Sequence, residues 1–347
     1  MSTPTPAPAL PPEASAAQLA FQIAWGYVGS SALHAALELG LPDRLAAGAK
    51  PVSELARETG TNEDALYRVL RALASFGMFE EQAPRTFAAN LPAQLLRAQA
   101  GTARDILYFL TDPHHFRIHA DLLHTLRTGQ PAAEKVLGGP VFQVFASDPA
   151  WGKVFNDAMT SMSGLAIRAA LEAFDFGDIR VLVDVAGGHG RVLTSILQRY
   201  PAMRGVLFDQ DHVIAGAGPL IAESGVSDRC TAVSGDFFRA VPAGGDAYIM
   251  KHILHDWDDD RSLTILRHIH RELAGVANGR VLLLESIVQP GNVPDFGKLI
   301  DLEMLLIPGG RERTAEEFGA LFARAGFELT RIVPTASALS VVEGVAR

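Results

Sequence analysis

Only one cysteine, Cys230, stands among the 347 residues. A single thiol excludes any intrachain disulfide, and Cys230 reads as a small core residue in a reducing, cytoplasmic compartment. Positive charge is also scarce: 30 Lys and Arg face 39 Asp and Glu, a formal net charge of −9. That balance points away from nucleic acid as a partner. No apolar run reaches the ~18 residues that a membrane span requires. The opening stretch MSTPTPAPALPPEAS has neither the basic nor the apolar region of a signal peptide, and its Pro and Ala content predicts a disordered lead-in over 1–15.

What the chain does have is apolar material, 48% of its residues, enough for two or three folded units. From 16 to 100 the pattern is helical, with Leu19, Ile23 and Tyr27 on one face. Within this stretch PVSELARETG and TNEDALYRVLRALASFG predict two helices, the second capped by Thr61 or Asn62 and ending at Gly77. MFEEQAPRTFAAN then predicts a ribbon turning at Pro84. Helix, turn, helix and ribbon is the order of a winged helix. A DNA-binding regulator is therefore one candidate, and it calls for a basic recognition helix. Residues 1–100 instead hold seven Lys/Arg against nine Asp/Glu, and the would-be recognition helix opens with Glu63 and Asp64. A dimerisation role suits so apolar a segment better.

Residues 101–175 read as a helical connection, with Trp151, Phe155, Met159 and Met162 at helical spacing, a pattern that core packing alone also produces. From 176 to 347 the texture alternates. Strands are expected at Val181–Val185, Gly205–Phe208, Cys230–Val233, Ala247–Met250 and Val281–Leu284, with helical patterns at 191–200, 211–224 and 260–274 between them. Such alternation predicts an α/β domain with a mostly parallel sheet covered on both faces. Two further strands, Glu328–Val333 and Leu339–Val345, close the chain and bring the sheet to seven.

The first strand runs into VLVDVAGGHGRVL, where Gly187 and Gly188 lie in a turn that lets a ligand approach the backbone. The nicotinamide fingerprint needs a third glycine after Gly190, and it is missing, as is a P-loop lysine. Asp184 would repel a pyrophosphate and suits an ammonium group. Asp209, ending the second strand, can accept from ribose hydroxyls. Asp236 in SGDFF can accept from an adenine amino group, and Phe237 can stack on the ring. The ligand these residues describe has an amino-acid part and no phosphate. A nicotinamide oxidoreductase is the reading this disfavours.

LVDVAGGHG, FDQDHVI, GDFF, MKHILHDWDDD, LLLESI and PGGRERTAEEF together resemble the motif set of the S-adenosylmethionine-dependent small-molecule O-methyltransferases of plants and bacteria. The resemblance spans about 16–345. It implies a winged-helix-like N-terminal dimerisation domain, a homodimer, and a C-terminal Rossmann-like methyltransferase domain. It also implies a part in secondary metabolism or antibiotic biosynthesis. By motif position Gly187, Asp209, Asp236, Phe237 and Lys251 resemble cofactor contacts. Phe155, Met159, Met162, Asp256 and Met304 resemble acceptor-pocket positions. One departure is Ala186, where the family usually has glycine; its methyl group is expected to weaken cofactor binding at most.

For the chemistry, a phenol with a pKa near ~10 is mostly protonated at neutral pH, so a general base helps. Eleven histidines are available. His252 and His255 follow the fourth strand, at the carboxyl edge where α/β sites form. His255 lies in HDW, which resembles the family's catalytic motif; His252 reads as packing. Glu285 and Glu312 by resemblance flank the base. Glu285, at a strand end among leucines, needs a partner if buried, whereas Glu312 could equally pair with Arg311 or Arg313 on the surface. Among the other histidines, His115 and His119 are four apart and could share a metal, but no Glu or Cys in sequence completes a site. No metal is expected here or at His252, His255, Asp256 and Asp258, where Asp258 serves better as a helix cap. The expected reaction moves a methyl group to a hydroxyl of a small aromatic acceptor and leaves S-adenosylhomocysteine.

Overall fold

The structure, a computed structural model, describes residues 12–99 and 103–347. Most of the lead-in expected over 1–15 lies outside these residues. Its last part does not: helix α1 (Pro12–Glu38) is already formed at Pro12. The chain divides into two compact units, 1–113 and 114–347.

In the first unit, α2 (Val52–Thr59) ends at Gly60, whose φ of 67° is a conformation that glycine adopts without strain. Helix α3 (Glu63–Ser75) starts where the Asn62 side chain accepts the Ala65 N–H. A three-stranded antiparallel ribbon follows, with Glu80–Ala83 and Thr86–Ala88 as its hairpin. Leu37, Leu41, Leu55, Leu70 and Phe87 form the unit's buried core. Arg85, on the hairpin turn, is taken up by Glu63 and Asp64 at 3.1 and 3.5 Å and lies 4.3 Å over the Tyr67 ring. The acids that open α3 thus face the one arginine of the hairpin. Leu19, Phe21, Ile23, Trp25 and Tyr27 of α1 are all exposed, although they point to several sides of the helix.

The second unit is built on seven strands: β1 (Val181–Val185), β2 (Arg204–Asp209), β3 (Cys230–Ser234), β4 (Ala247–Lys251), β5 (Arg280–Glu285), β6 (Phe327–Pro334) and β7 (Ser340–Ala346). Their order is 3-2-1-4-5-7-6. The first five are parallel, and β7 runs antiparallel to both β5 and β6. Successive side chains alternate between two apolar layers. Leu182, Ile249, Leu282 and Leu284 join one, and Val183, Val185, Tyr248, Met250 and Leu283 join the other. Cys230 is buried in the first layer, and burial pushes its thiol up to about 11.

Four helices matter for the site: α4 (Pro149–Ala173), α5 (Asp259–Glu272), α6 (Gly297–Leu306) and α7 (Ala315–Ala325). Asp258 caps α5 by accepting the Arg261 N–H. Thr314 caps α7 in a reciprocal pair with Glu317. Among the described residues no helix is long and apolar enough to cross a membrane. Strand order reverses between β1 and β4, and in open α/β sheets the crevice at that point takes the ligand. Thr314→Ala should lower unfolding stability by about 1 kcal/mol in urea denaturation, and an unchanged midpoint would contradict the capping role.

Candidate active site

The exit of β1 shows why this loop is rich in glycine. Asp184 points into the same apolar layer as Leu182 and is 1% exposed. Burial pushes its carboxyl up to about 7, opposed by the Leu193 amide. One of its oxygens, Oδ2, is buried without a hydrogen-bond partner. A Cβ on Gly187 would come within 2.5 Å of Leu207 and 2.6 Å of that carboxyl, so only glycine fits there. Gly188 donates its N–H to Asp209 Oδ2 at 2.8 Å, which ties the loop to the end of β2. Burial raises the Asp209 carboxyl. Asp236 follows β3, accepts the Phe238 N–H at 2.8 Å, and is otherwise exposed. Phe237 packs edge-on to Phe238 and Trp257, and its carbonyl lies 3.0 Å from His268 Nδ1. Lys251 ends β4; burial pulls its amine down to about 8 against the opposing charges of Glu285, Asp256 and Asp184.

These residues fit the expected cofactor. A buried, unsatisfied carboxylate oxygen beside a glycine turn suits a cationic amino group, and acids end the next two strands. Ala186 holds a φ of +57°, a region costly for a residue with a Cβ. Its cost is therefore carried by the backbone.

The turn after β4 carries the histidines. His255 is 7% exposed and His252 8%. Their rings stack at 4.5 Å and 15°. Both His252 nitrogens lack a hydrogen-bond partner, and burial with the nearby Lys251 charge keeps the ring neutral. His252 therefore packs against His255. The His255 ring is met by three acids. Glu312 Oε1 lies 2.7 Å from Nδ1, Glu285 Oε2 lies 3.9 Å from Nδ1, and Asp256 Oδ1 lies 3.5 Å from Nε2.

The two glutamates exchange the weights that sequence placed on them. Glu312 is 4% exposed and makes the one short contact with His255. It does not pair with its neighbours on the surface: Arg311 binds Glu317, and Arg313 binds Asp259 at 2.9 Å. Glu285 is completely buried, but its Oε1 accepts the N–H groups of Ile253 and Leu254, both at 3.1 Å. Its partner is the backbone of the turn. Burial raises all three carboxyls around His255: that of Glu285, that of Glu312 to about 8 and that of Asp256 to about 7. His252, His255 and Glu285 each bring one ligand atom within 4.8 Å of the others; Glu285 Oε1 and His255 Nδ1 are engaged by the turn amides and Glu312, whereas Glu285 Oε2 and both His252 nitrogens have no hydrogen-bond partner.

Sequence reading missed several residues around this turn. Arg313, 1% exposed, donates to the carbonyls of Leu254 and Trp257, both at 3.0 Å. Gly310 passes so close that a Cβ would sit 1.9 Å from the His255 carbonyl, which accepts the Arg311 N–H. Asp301 on α6 accepts the Glu312 N–H at 2.8 Å. Glu303 corrects the expectation that no acid joins His115 and His119, for it meets them at 3.0 and 2.8 Å. Burial opposes its ionisation, but the two histidines hold its carboxyl down at about 2. All these contacts link residues far apart in sequence, so no local pattern signals them.

The acceptor candidates are arranged by aromatic packing. Phe155 on α4 stacks on Phe145 at 4.4 Å, and Phe142 meets Phe155 at 6.2 Å and Trp257 at 5.9 Å. Met159 and Met162 follow one and two turns on from Phe155, half-buried. Met304 is on α6, where its carbonyl accepts the N–H groups of Gly309 and Gly310. A cleft of about 390 Å³ opens beside Phe142, Phe238 and Trp257 and is also lined by Arg261 and Glu134. That is large enough for a small ligand.

Known proteins of the same build are plentiful. Residues 119–328 match the O-methyltransferase domain family and residues 21–99 the O-methyltransferase dimerisation domain. The phenazine O-methyltransferase PhzM of Lysobacter antibioticus is 42% identical, covering 93% of this chain and 94% of its own. The mitomycin biosynthesis 6-O-methyltransferase of Streptomyces lavendulae is 34% identical over 92% of both chains. The SAH-bound crystal structure of CalO1, a methyltransferase in calicheamicin biosynthesis, superposes with a TM-score of 0.85 at 34% identity, covering 98% of this chain and all of that one.

Ala186→Gly should raise unfolding stability by up to about 1 kcal/mol by relieving the left-handed alanine, with no loss of S-adenosylhomocysteine affinity in calorimetry. A less stable variant would show that the alanine methyl makes a favourable contact.

Proposed function

The chain belongs to the S-adenosylmethionine-dependent O-methyltransferase family, and from that premise we propose that His255 is the general base that deprotonates a hydroxyl of a small aromatic acceptor. One observation carries this reading: Nδ1 of a buried histidine at the carboxyl edge of the sheet lies 2.7 Å from a buried glutamate. With Glu312 ionised, Nδ1–H donates to it and Nε2 is left bare, as a base requires. Asp184, Gly187, Gly188, Asp209, Asp236, Phe237 and Lys251 would hold the cofactor. When bound, S-adenosylmethionine supplies an activated methyl group. The chain's own tasks are then to place the hydroxyl in line and to take its proton at Nε2. Glu312 stabilises the imidazolium that forms, and Glu285 keeps the 253–256 turn in shape.

Phe155, Met159, Met162, Asp256 and Met304 are the proposed acceptor contacts, with the Phe142–Trp257 pair extending the aromatic wall. Rings at this spacing suit a planar acceptor. Relatives named for phenazine and mitomycin pathways support an aromatic secondary metabolite as its class. The nicotinamide and DNA-binding alternatives gain no support. We further propose a homodimer formed through the first unit. The exposed Leu19, Phe21, Ile23, Trp25 and Tyr27 of α1 need a cover on more than one side. The single cysteine suits the cytoplasm.

His255→Gln should cut turnover of a phenolic acceptor at least ~100-fold while leaving S-adenosylhomocysteine affinity within about twofold. Wild-type turnover in that variant would remove the base assignment. Light scattering after gel filtration should give twice the chain mass; a monomer at micromolar concentration would contradict the dimer.

A further inference from the structure

We propose that Asp301 is a positioning residue for methyl transfer, acting through Glu312 to set the tautomer of His255. The inference rests on the reading of His255 as the base. Its geometry is a relay of two contacts: Asp301 Oδ1 accepts the Glu312 N–H at 2.8 Å, and Glu312 Oε1 meets His255 Nδ1 at 2.7 Å. Glu312 lies between α6 and α7, where its neighbours are pinned: Arg311 donates its N–H to the His255 carbonyl, and Arg313 forms a parallel bridge with Ile287 and accepts the Val288 N–H. The Glu312 amide between them is taken by Asp301, and a rotation of that peptide would turn the carboxylate away from Nδ1.

Asp301 can hold that segment because its own helix is held. Glu303, two residues on and turned to another side of α6, is clasped by His115 and His119. At the helix start Asp295 accepts the N–H groups of Gly297 and Gln289, at 2.9 and 2.8 Å. Asp301 is thus a fixed point that holds the one Glu312 amide, between neighbours pinned to His255 and to Ile287.

The charge of Asp301 has a second effect. Glu312 is pushed up to about 8, first by burial and then by Asp301, with Asp295 adding to the rise and Arg313 opposing it. Glu285, Asp256 and His255 are the other titratable groups of this cluster. A carboxylate that is reluctant to stay ionised is a stronger acceptor for Nδ1–H. Below its pKa it takes up a proton, stops demanding Nδ1–H, and the bare Nε2 is no longer enforced. The sign follows: kcat/KM for the acceptor falls as pH drops through about 8. Removing the Asp301 charge lets Glu312 ionise at lower pH, so that limb moves down.

Two substitutions separate the relay from mere structural support. Asp301→Asn keeps an oxygen for the Glu312 N–H but loses the charge. Its plateau kcat should stay within about threefold of wild type while the acid limb of kcat/KM shifts to lower pH. Asp301→Ala loses both, and its kcat should fall at least about tenfold with the KM for S-adenosylmethionine unchanged. His255→Gln is run beside them. If that variant is crippled while Asp301→Ala keeps wild-type kcat and limb, the relay is wrong and the base assignment stands. If His255→Gln keeps full turnover, the base assignment fails and the relay with it. Equal stability losses in both Asp301 variants with an unmoved limb would also overturn the proposal. Should Asp301→Ala not fold, the position of the limb in Asp301→Asn decides alone.

Discussion

Four successive residues, Gly310 to Arg313, lie along the turn that carries His255, and the carboxyl edge of the sheet is organised by that contact. The Arg311 amide donates to the His255 carbonyl, and the Glu312 carboxylate meets its ring. Arg313 closes on the carbonyls before and after it. Glycine at 310 is what allows so close an approach. From the other side Glu285 takes the two amides that open the turn. A guanidinium as buried as that of Arg313 costs stability unless every donor is used. Here the turn carbonyls, Ser262 and Asp259 supply the acceptors. The geometry of this candidate site therefore comes from polar contacts that would be expensive to leave unmade.

The same burial explains the electrostatics. Asp184, Asp209, Asp256, Glu285 and Glu312 all have carboxyls raised chiefly by loss of water. Clusters of this kind mark functional sites, because the strain is relieved by a ligand or by proton transfer. Asp184 illustrates the first case, with a buried oxygen awaiting a donor. Glu312 illustrates the second, since its companion is a histidine. Lys251 is the cationic counterpart at the end of β4, its amine pulled down to about 8 by the same burial.

Much of this was legible in sequence. All seven strands of the sheet lie within a residue of their expected ends, because their apolar runs are bounded by clear turn signals. The caps at Asn62, Asp258 and Thr314 followed from local chemistry. Asp184, Asp209 and Asp236 could be named because strand ends are recognisable. What escaped were contacts made across long loops. Asp301 and Glu312 are separated by a helix end and a glycine turn, and Glu303 lies nearly two hundred residues from its histidines. The relative standing of Glu285 and Glu312 was misjudged because a glutamate in a leucine run looks in need of a charged partner. Backbone amides take its Oε1, while its Oε2 lies buried 3.9 Å from His255 Nδ1 without a hydrogen bond.

If Glu312 orients the base as proposed, His255 carries a proton on Nδ1 and leaves Nε2 bare. Nitrogen-15 spectroscopy of histidine-labelled protein reads this directly, with His255→Gln identifying the signal. Above pH 8 a directly bonded proton on Nδ1 and a bare-nitrogen shift for Nε2 are expected. A proton on Nε2 under the same conditions would contradict it.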